Sequence, residues 1–165
     1  MQVTYCELWS SKRRKPTGEM GVDQARQRDT DGESYCVVLG DSSAPQAVIE
    51  VAPENKFIGV NFVDDEGRTH TALSFVNIGE GKFFMDEFVM WSYEPGAGNM
   101  SGANRIESLE YRPDGYLRRT IDDDSSDRIE VIEYKDVPVD VNWEPEPKFG
   151  NWASIARYDR DVPAT

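Results

Sequence analysis

One histidine, two cysteines and a surplus of carboxylates are the raw material for chemistry in this 165-residue chain. His70 sits between Thr69 and Thr71 in a strand-like stretch. An imidazole suits acid–base work at neutral pH. No serine, cysteine or metal-ligand pattern accompanies it, so a hydrogen-bonded sheet residue is the expected role. Cys6 and Cys36 each lie in an apolar, strand-like context (Tyr5-Cys6-Glu7-Leu8 and Tyr35-Cys36-Val37-Val38). They read as buried small hydrophobes; a bridge between them would need Cα atoms within roughly 7 Å. Asp86-Glu87, flanked by Phe84 and Phe88, is the acidic pair with the most apolar surroundings. On a regular strand the two point to opposite faces, so at most one is buried and paired-carboxylate hydrolysis is not expected.

Other signatures fail on spacing. Asp29-x-Asp31-Gly32 opens like a calcium loop, but its twelfth position is Gly40 where a glutamate is required. Asp122–Asp127 reads as a solvated turn. Gly96, Gly98 and Gly102 have neither the spacing nor the following helix of a phosphate loop. Zinc spacings, nucleophile elbows and catalytic triads are absent from the sequence. No enzyme activity, metal or cofactor is expected. Asn99-Met100-Ser101 matches the glycosylation triplet, a pattern common by chance.

The elements that carry these residues read as strands. Residues 2–9, 34–39 and 46–52 are β-like, and 56–63 and 68–78 form a hairpin across Asp64-Asp65-Glu66-Gly67. Residues 82–93 complete an antiparallel meander. A glycine-rich stretch, 94–104, reads as a flexible loop. Residues 105–111 and 116–121 flank Arg112-Pro113-Asp114-Gly115, which is turn chemistry. Residues 128–134 follow. In 137–143, Val137, Val139, Val141 and Trp143 alternate with polar residues and Pro138, predicting an edge strand with Trp143 in the core. Residues 151–158 are the best helix candidate, with Asn151 as cap and Trp152, Ile155 and Tyr158 facing inward. Residues 10–33 read as a flexible loop or arm with a helical turn near 22–28. The expected fold is β-rich α+β in one domain spanning 1–165. It comprises an antiparallel meander of about 7–9 strands, curled or barrel-like, with one or two short helices.

Charge bounds the partners. The formal net charge is −13, yet residues 1–30 hold six basic residues against four acids, leaving −15 on the rest. Such a body repels nucleic acid and anionic membrane and attracts basic partners. Lys12-Arg13-Arg14-Lys15, the one basic cluster, reads as a solvated loop. No apolar run approaches the roughly 20 residues of a membrane helix. The first residues lack the basic and apolar regions of a secretory signal, so a cytoplasmic protein is expected.

A strongly acidic single domain without a catalytic motif, carrying Asn142-Trp143-Glu144-Pro145 and Phe149-Gly150-Asn151-Trp152 near its end, resembles the immunity proteins encoded beside bacterial polymorphic toxins. The resemblance implies one-to-one occlusion of the active cleft of a toxin such as a nuclease, deaminase or ADP-ribosyltransferase. Physical reasoning runs the same way: enzymes acting on nucleic acid or nucleotides carry basic clefts, and an acidic plug reaches them by electrostatic steering. The expected contact residues are Asp64, Asp65, Glu66, Asp122, Asp123, Asp124, Glu144 and Glu146, with Trp91, Tyr93 and Trp152 as aromatic anchors. Two other readings stand beside it. One is a ligand-binding barrel or cone, with or without enzymatic activity, lined by Phe83, Met85, Val89 and Trp91. The other is a nucleic-acid mimic presenting its carboxylates like phosphates.

Overall fold

The computed structural model describes residues 1–79 and 81–160. Its strands are β1 (Val3–Ser10), β2 (Lys15–Met20), β3 (Tyr35–Asp41), β4 (Ala44–Ala52), β5 (Phe57–Val63), β6 (Thr69–Asn77), β7 (Lys82–Ser92), β8 (Arg105–Tyr111), β9 (Leu117–Asp123), β10 (Glu130–Tyr134) and β11 (Trp143–Pro145). All pair antiparallel in one sheet of order β10-β9-β8-β7-β6-β5-β4-β3-β1-β2, and β11 adds to β7. The meander is as the sequence predicts, with eleven strands where about seven to nine are expected. The sheet is not closed: β2 and β10 are its free edges.

Alternation along β3 to β7 decides where the core lies. Tyr35, Val37 and Leu39 of β3, Ile49 and Val51 of β4, Val60 of β5 and Leu73 and Phe75 of β6 face one side and form the main cluster. Phe83 and Met85, the expected cavity lining, are packed into that same cluster. The helix α1 (Val22–Asp31) and the C-terminal segment cover it at the β1–β3 end. Ala25 is the one buried residue of α1, Asp29 accepts the Tyr35 hydroxyl at 2.7 Å, and Arg26 lies over the Phe149 ring at 4.8 Å. Phe149 stacks on Tyr5 with ring centroids 5.4 Å apart, and Trp152 Nε1 donates to the Tyr5 hydroxyl at 3.2 Å.

Four local expectations are corrected. Residues 10–33, read as a loop or arm, fold into β2 and α1. β2 bonds only to β1 and is largely exposed, so no apolar period marks it. α1 ends at Gly32, whose positive φ of 80° lets the Glu33 amide reach back to the Arg28 carbonyl. Residues 137–143 are not a strand but run into a 3-10 turn, Asp140–Asn142, ahead of β11. β8 already occupies the lane beside Glu87–Ser92 of β7, so only Lys82–Phe84 can accept β11. The alternation consequently misplaces its tryptophan: Trp143 is 37% exposed while Asn142 is buried, donating to the Met85 carbonyl at 2.9 Å. Finally, 151–158 forms only the 3-10 turn Trp152–Ser154, and Asn151 makes no side-chain cap bond. Trp152 and Ile155 are buried as expected, but Tyr158 is exposed, its ring edge-on to Phe62.

Candidate protein interaction face

A bulge in β7 creates the most distinctive polar surface. Ser74 of β6 pairs with Glu87 and Phe75 pairs with Met85, leaving Asp86 as an extra residue. Met85 and Phe88, three positions apart, can both face the core only because Asp86 and Glu87 together turn to the other side. There Glu87 begins a straight cross-strand row: Glu87 opposite Glu110, Glu110 opposite Arg118, Arg118 opposite Glu133. Arg118 is 3.6 Å from Glu110, and Tyr116 donates its hydroxyl to Glu133 at 2.5 Å. With Asp86 these residues line an open cavity of about 330 Å³. Burial, opposed by a backbone hydrogen bond and aided by the Glu110 charge, pushes the Asp86 carboxyl above its ordinary range. Burial and then the charges of Asp86 and Glu110 do the same to Glu87. Asp86 Oδ1 is buried without a hydrogen-bond partner.

Two further rows share this face. Val89, Ser108, Thr120 and Val131 form the second; Trp91, Ile106 and Asp122 form the third. Trp91 and Ile106 are partly exposed and Val131 is 48% exposed. Val89, Trp91 and Ile106 thus form an apolar patch bounded by Glu87 and Asp122, with Ser108 and Thr120 separating it from Val131. Asp124 stands just past β9, where its amide donates to the Asn104 carbonyl at 2.9 Å.

The remaining expected contact residues have other surroundings. Asp64 Oδ1 accepts the amides of Glu66 and Arg68, and Oδ2 pairs with Arg68 Nε, each at 2.9 Å. Burial acts against its ionisation, but those bonds outweigh it and hold the Asp64 carboxyl below its usual range. Glu66 bonds Arg68 and the Gly96 amide, and Asp65 is exposed, its carbonyl accepting from Arg14. Tyr93 donates to the Thr69 carbonyl at 2.6 Å and accepts the Met100 amide, with Arg68 over its ring, so it anchors the glycine-rich loop. Asp123 Oδ1 accepts from the Ser125 amide and hydroxyl and keeps its own turn. Glu144 is buried between Arg157 and Arg160. Glu146 is exposed, near the start of β7. Trp152, 3% exposed, belongs to the core. The structure therefore gathers Trp91, Asp122 and Asp124 and leaves Glu144, Glu146 and Trp152 elsewhere.

Glu87, Glu110 and Glu133 are the face residues that the sequence reading does not assign to an interface. One signal was countable: the Pro113-Asp114-Gly115 turn sets Glu110 opposite Arg118. The bulge that turns Asp86 and Glu87 together had none.

His70 is likewise the extra residue of a bulge, in β6. It contacts Thr71 Oγ1 at 3.0 Å and lies beside Phe62 and Tyr158. Burial lowers its pKa, opposed by Asp64. Among the described residues no group of three or more His, Cys, Asp or Glu is arranged to hold a metal, and no helix is long and apolar enough to cross a membrane. Comparison with protein-family models, curated proteins and solved structures found no match.

Proposed function

We propose that this chain is an acidic inhibitor of the immunity type, acting in the cytoplasm by occluding the basic active cleft of a toxin enzyme such as a nuclease, deaminase or ADP-ribosyltransferase. The observation that carries the reading is the outer face of β7–β10, where partly exposed Trp91 and Ile106 share a cross-strand row with Asp122, separated by one row from the Glu87–Glu110–Arg118–Glu133 row. Tryptophan is among the residues most enriched at interface hot spots. The carboxylates steer a basic partner in and exclude nucleic acid and other acidic proteins. The positive segment at Lys12–Lys15 lies on the β1–β2 turn, at the opposite end of the sheet from β10.

The test compares immobilised wild type with Trp91→Ala and with the double variant Glu87→Gln, Glu110→Gln. Wild type is expected to retain one basic protein stoichiometrically, and one equivalent to abolish that protein's catalytic activity. Trp91→Ala should weaken retention by about 30-fold or more. The carboxylate variant should lose the salt dependence of association. Equal retention by all three, or a captured enzyme that stays fully active, removes this face from any inhibitory role.

A further inference from the structure

Cys6 and Cys36 are direct register partners across the β1–β3 ladder. Both thiols are free and buried, 0% and 6% exposed, and both belong to a small apolar cluster with Trp9, Val38 and Val48 on the sheet face opposite the main core. Directly opposed residues of an antiparallel pair have Cα atoms about 4.5–5.5 Å apart, inside the span a disulfide bridges. Their side chains leave the same face of the sheet, so no backbone reversal is needed to join them.

We infer that Cys6 and Cys36 form a reversible cross-strand disulfide by exchange with a small-molecule disulfide such as oxidised glutathione. Cys36, the less enclosed thiol, is the point of entry. Its thiolate attacks one sulfur of glutathione disulfide, forming a mixed disulfide and releasing one glutathione thiolate. Cys6 then attacks the Cys36 sulfur, forming the protein disulfide and expelling the second glutathione. The two cysteines are oxidised by two electrons, one glutathione disulfide is reduced to two thiols, and the protons of the cysteines end on the released glutathione.

The environment sets the rate. Burial pushes the Cys6 thiol up to about 11 and Cys36 to about 12, so both are protonated at neutral pH. Exchange then waits on opening of the sheet margin, where β1 is covered only by the edge strand β2. Once formed, the bond ties β1 to β3 and closes the loop that carries β2 and α1. It converts the most detachable end of the sheet into a covalently fixed one.

The experiment incubates the native full chain with oxidised glutathione and reads intact mass, thiol alkylation after denaturation, and the thermal midpoint. Wild type should lose the mass of two hydrogen atoms, yield a Cys6–Cys36 linked peptide, and melt roughly 5–10 °C higher, reversed by dithiothreitol. Cys6→Ser should stop at the mixed disulfide, carrying one glutathione on Cys36. Cys36→Ser should remain largely unmodified. Two results overturn the inference. One is native wild type keeping both thiols alkylatable under conditions that cross-link the urea-unfolded chain. The other is a bridge that forms but leaves the midpoint unchanged or lower.

Discussion

Glu87 stands directly opposite Glu110 across the β7–β8 ladder, two acidic side chains on the same face of the sheet. Asp86, turned to the same side by the bulge, adds a third. Like charges placed this way destabilise a sheet. The arrangement is relieved only in part by Arg118, which pairs with Glu110 at 3.6 Å.

Neutralising Glu87 should therefore stabilise the protein. Its folded pKa is raised by burial and by Asp86 and Glu110. The native state consequently holds its proton to higher pH than the unfolded chain, and stability falls as pH rises from the ordinary carboxylate value of about 4.3 through the folded pKa. Glu87→Gln is expected to gain about 0.5–1 kcal/mol at neutral pH. The gain should vanish below about pH 4, where wild type is already protonated. Urea denaturation at the two pH values checks this, and a loss of stability at neutral pH would contradict it.

Two tryptophans, one in the core and one on the outer face of β7, make opposite forecasts. Trp152→Ala empties a buried site between Tyr35 and Phe149 and removes the bond to Tyr5, so it should cost about 3–5 kcal/mol. Trp91→Ala, on the open face, should cost less than half of that. Chemical denaturation of both variants separates a core tryptophan from one placed for contact.

Glu144 supplies a third case. Its carboxylate meets Arg160, whose side chain is 2% exposed and whose Nη2 also donates to the Ile155 carbonyl at 2.9 Å. Glu144→Gln leaves that guanidinium buried without its countercharge, and about 3 kcal/mol of stability should be lost. Arg157→Gln, removing the half-exposed partner, should change stability by less than about 1 kcal/mol. Equal losses would mean that the Arg157 pair, not the buried Arg160 contact, carries the stability.

Binding kinetics divide the Asp122–Asp124 run. Asp122→Asn with Asp124→Asn should slow association with a basic partner by roughly two- to ten-fold at low salt and flatten its salt dependence, leaving stability unchanged. Asp123→Asn should instead loosen the turn it holds through Ser125. Stopped-flow association and thermal melting of the two variants distinguish these roles.

Much of the sheet was legible because its turns are countable. Asp64–Gly67 and Pro113–Gly115 set the β5–β6 and β8–β9 hairpins, and the expected strands lie where they are found. β2 escaped, and α1 was legible only as a helical turn near 22–28, because an edge strand and a helix with one buried residue leave almost no apolar period. The bulges at His70 and Asp86 each insert one residue, so parity counted from the sequence puts Asp86 and Glu87 on opposite faces where they share one. Trp143 and Glu144 were misread for a related reason. Their surroundings are set by chain distant in sequence, Phe84 for the first and Arg157 and Arg160 for the second. Of the candidate face, only Trp91, Asp122 and Asp124 stood out beforehand; the Glu87 row needed the β7–β8 register, which the glycine-rich loop conceals.

From β3 to β10 each strand lies beside the one made just before it, so a chain emerging from the ribosome always finds its pairing partner already in place. The last step differs. Trp152 must travel back to Tyr5 across a separation of 147 residues before the Tyr5–Tyr35 end of the core is sealed. Until it arrives, the nascent protein is a nearly complete sheet with one oily end open, and that interval is when it most needs a chaperone.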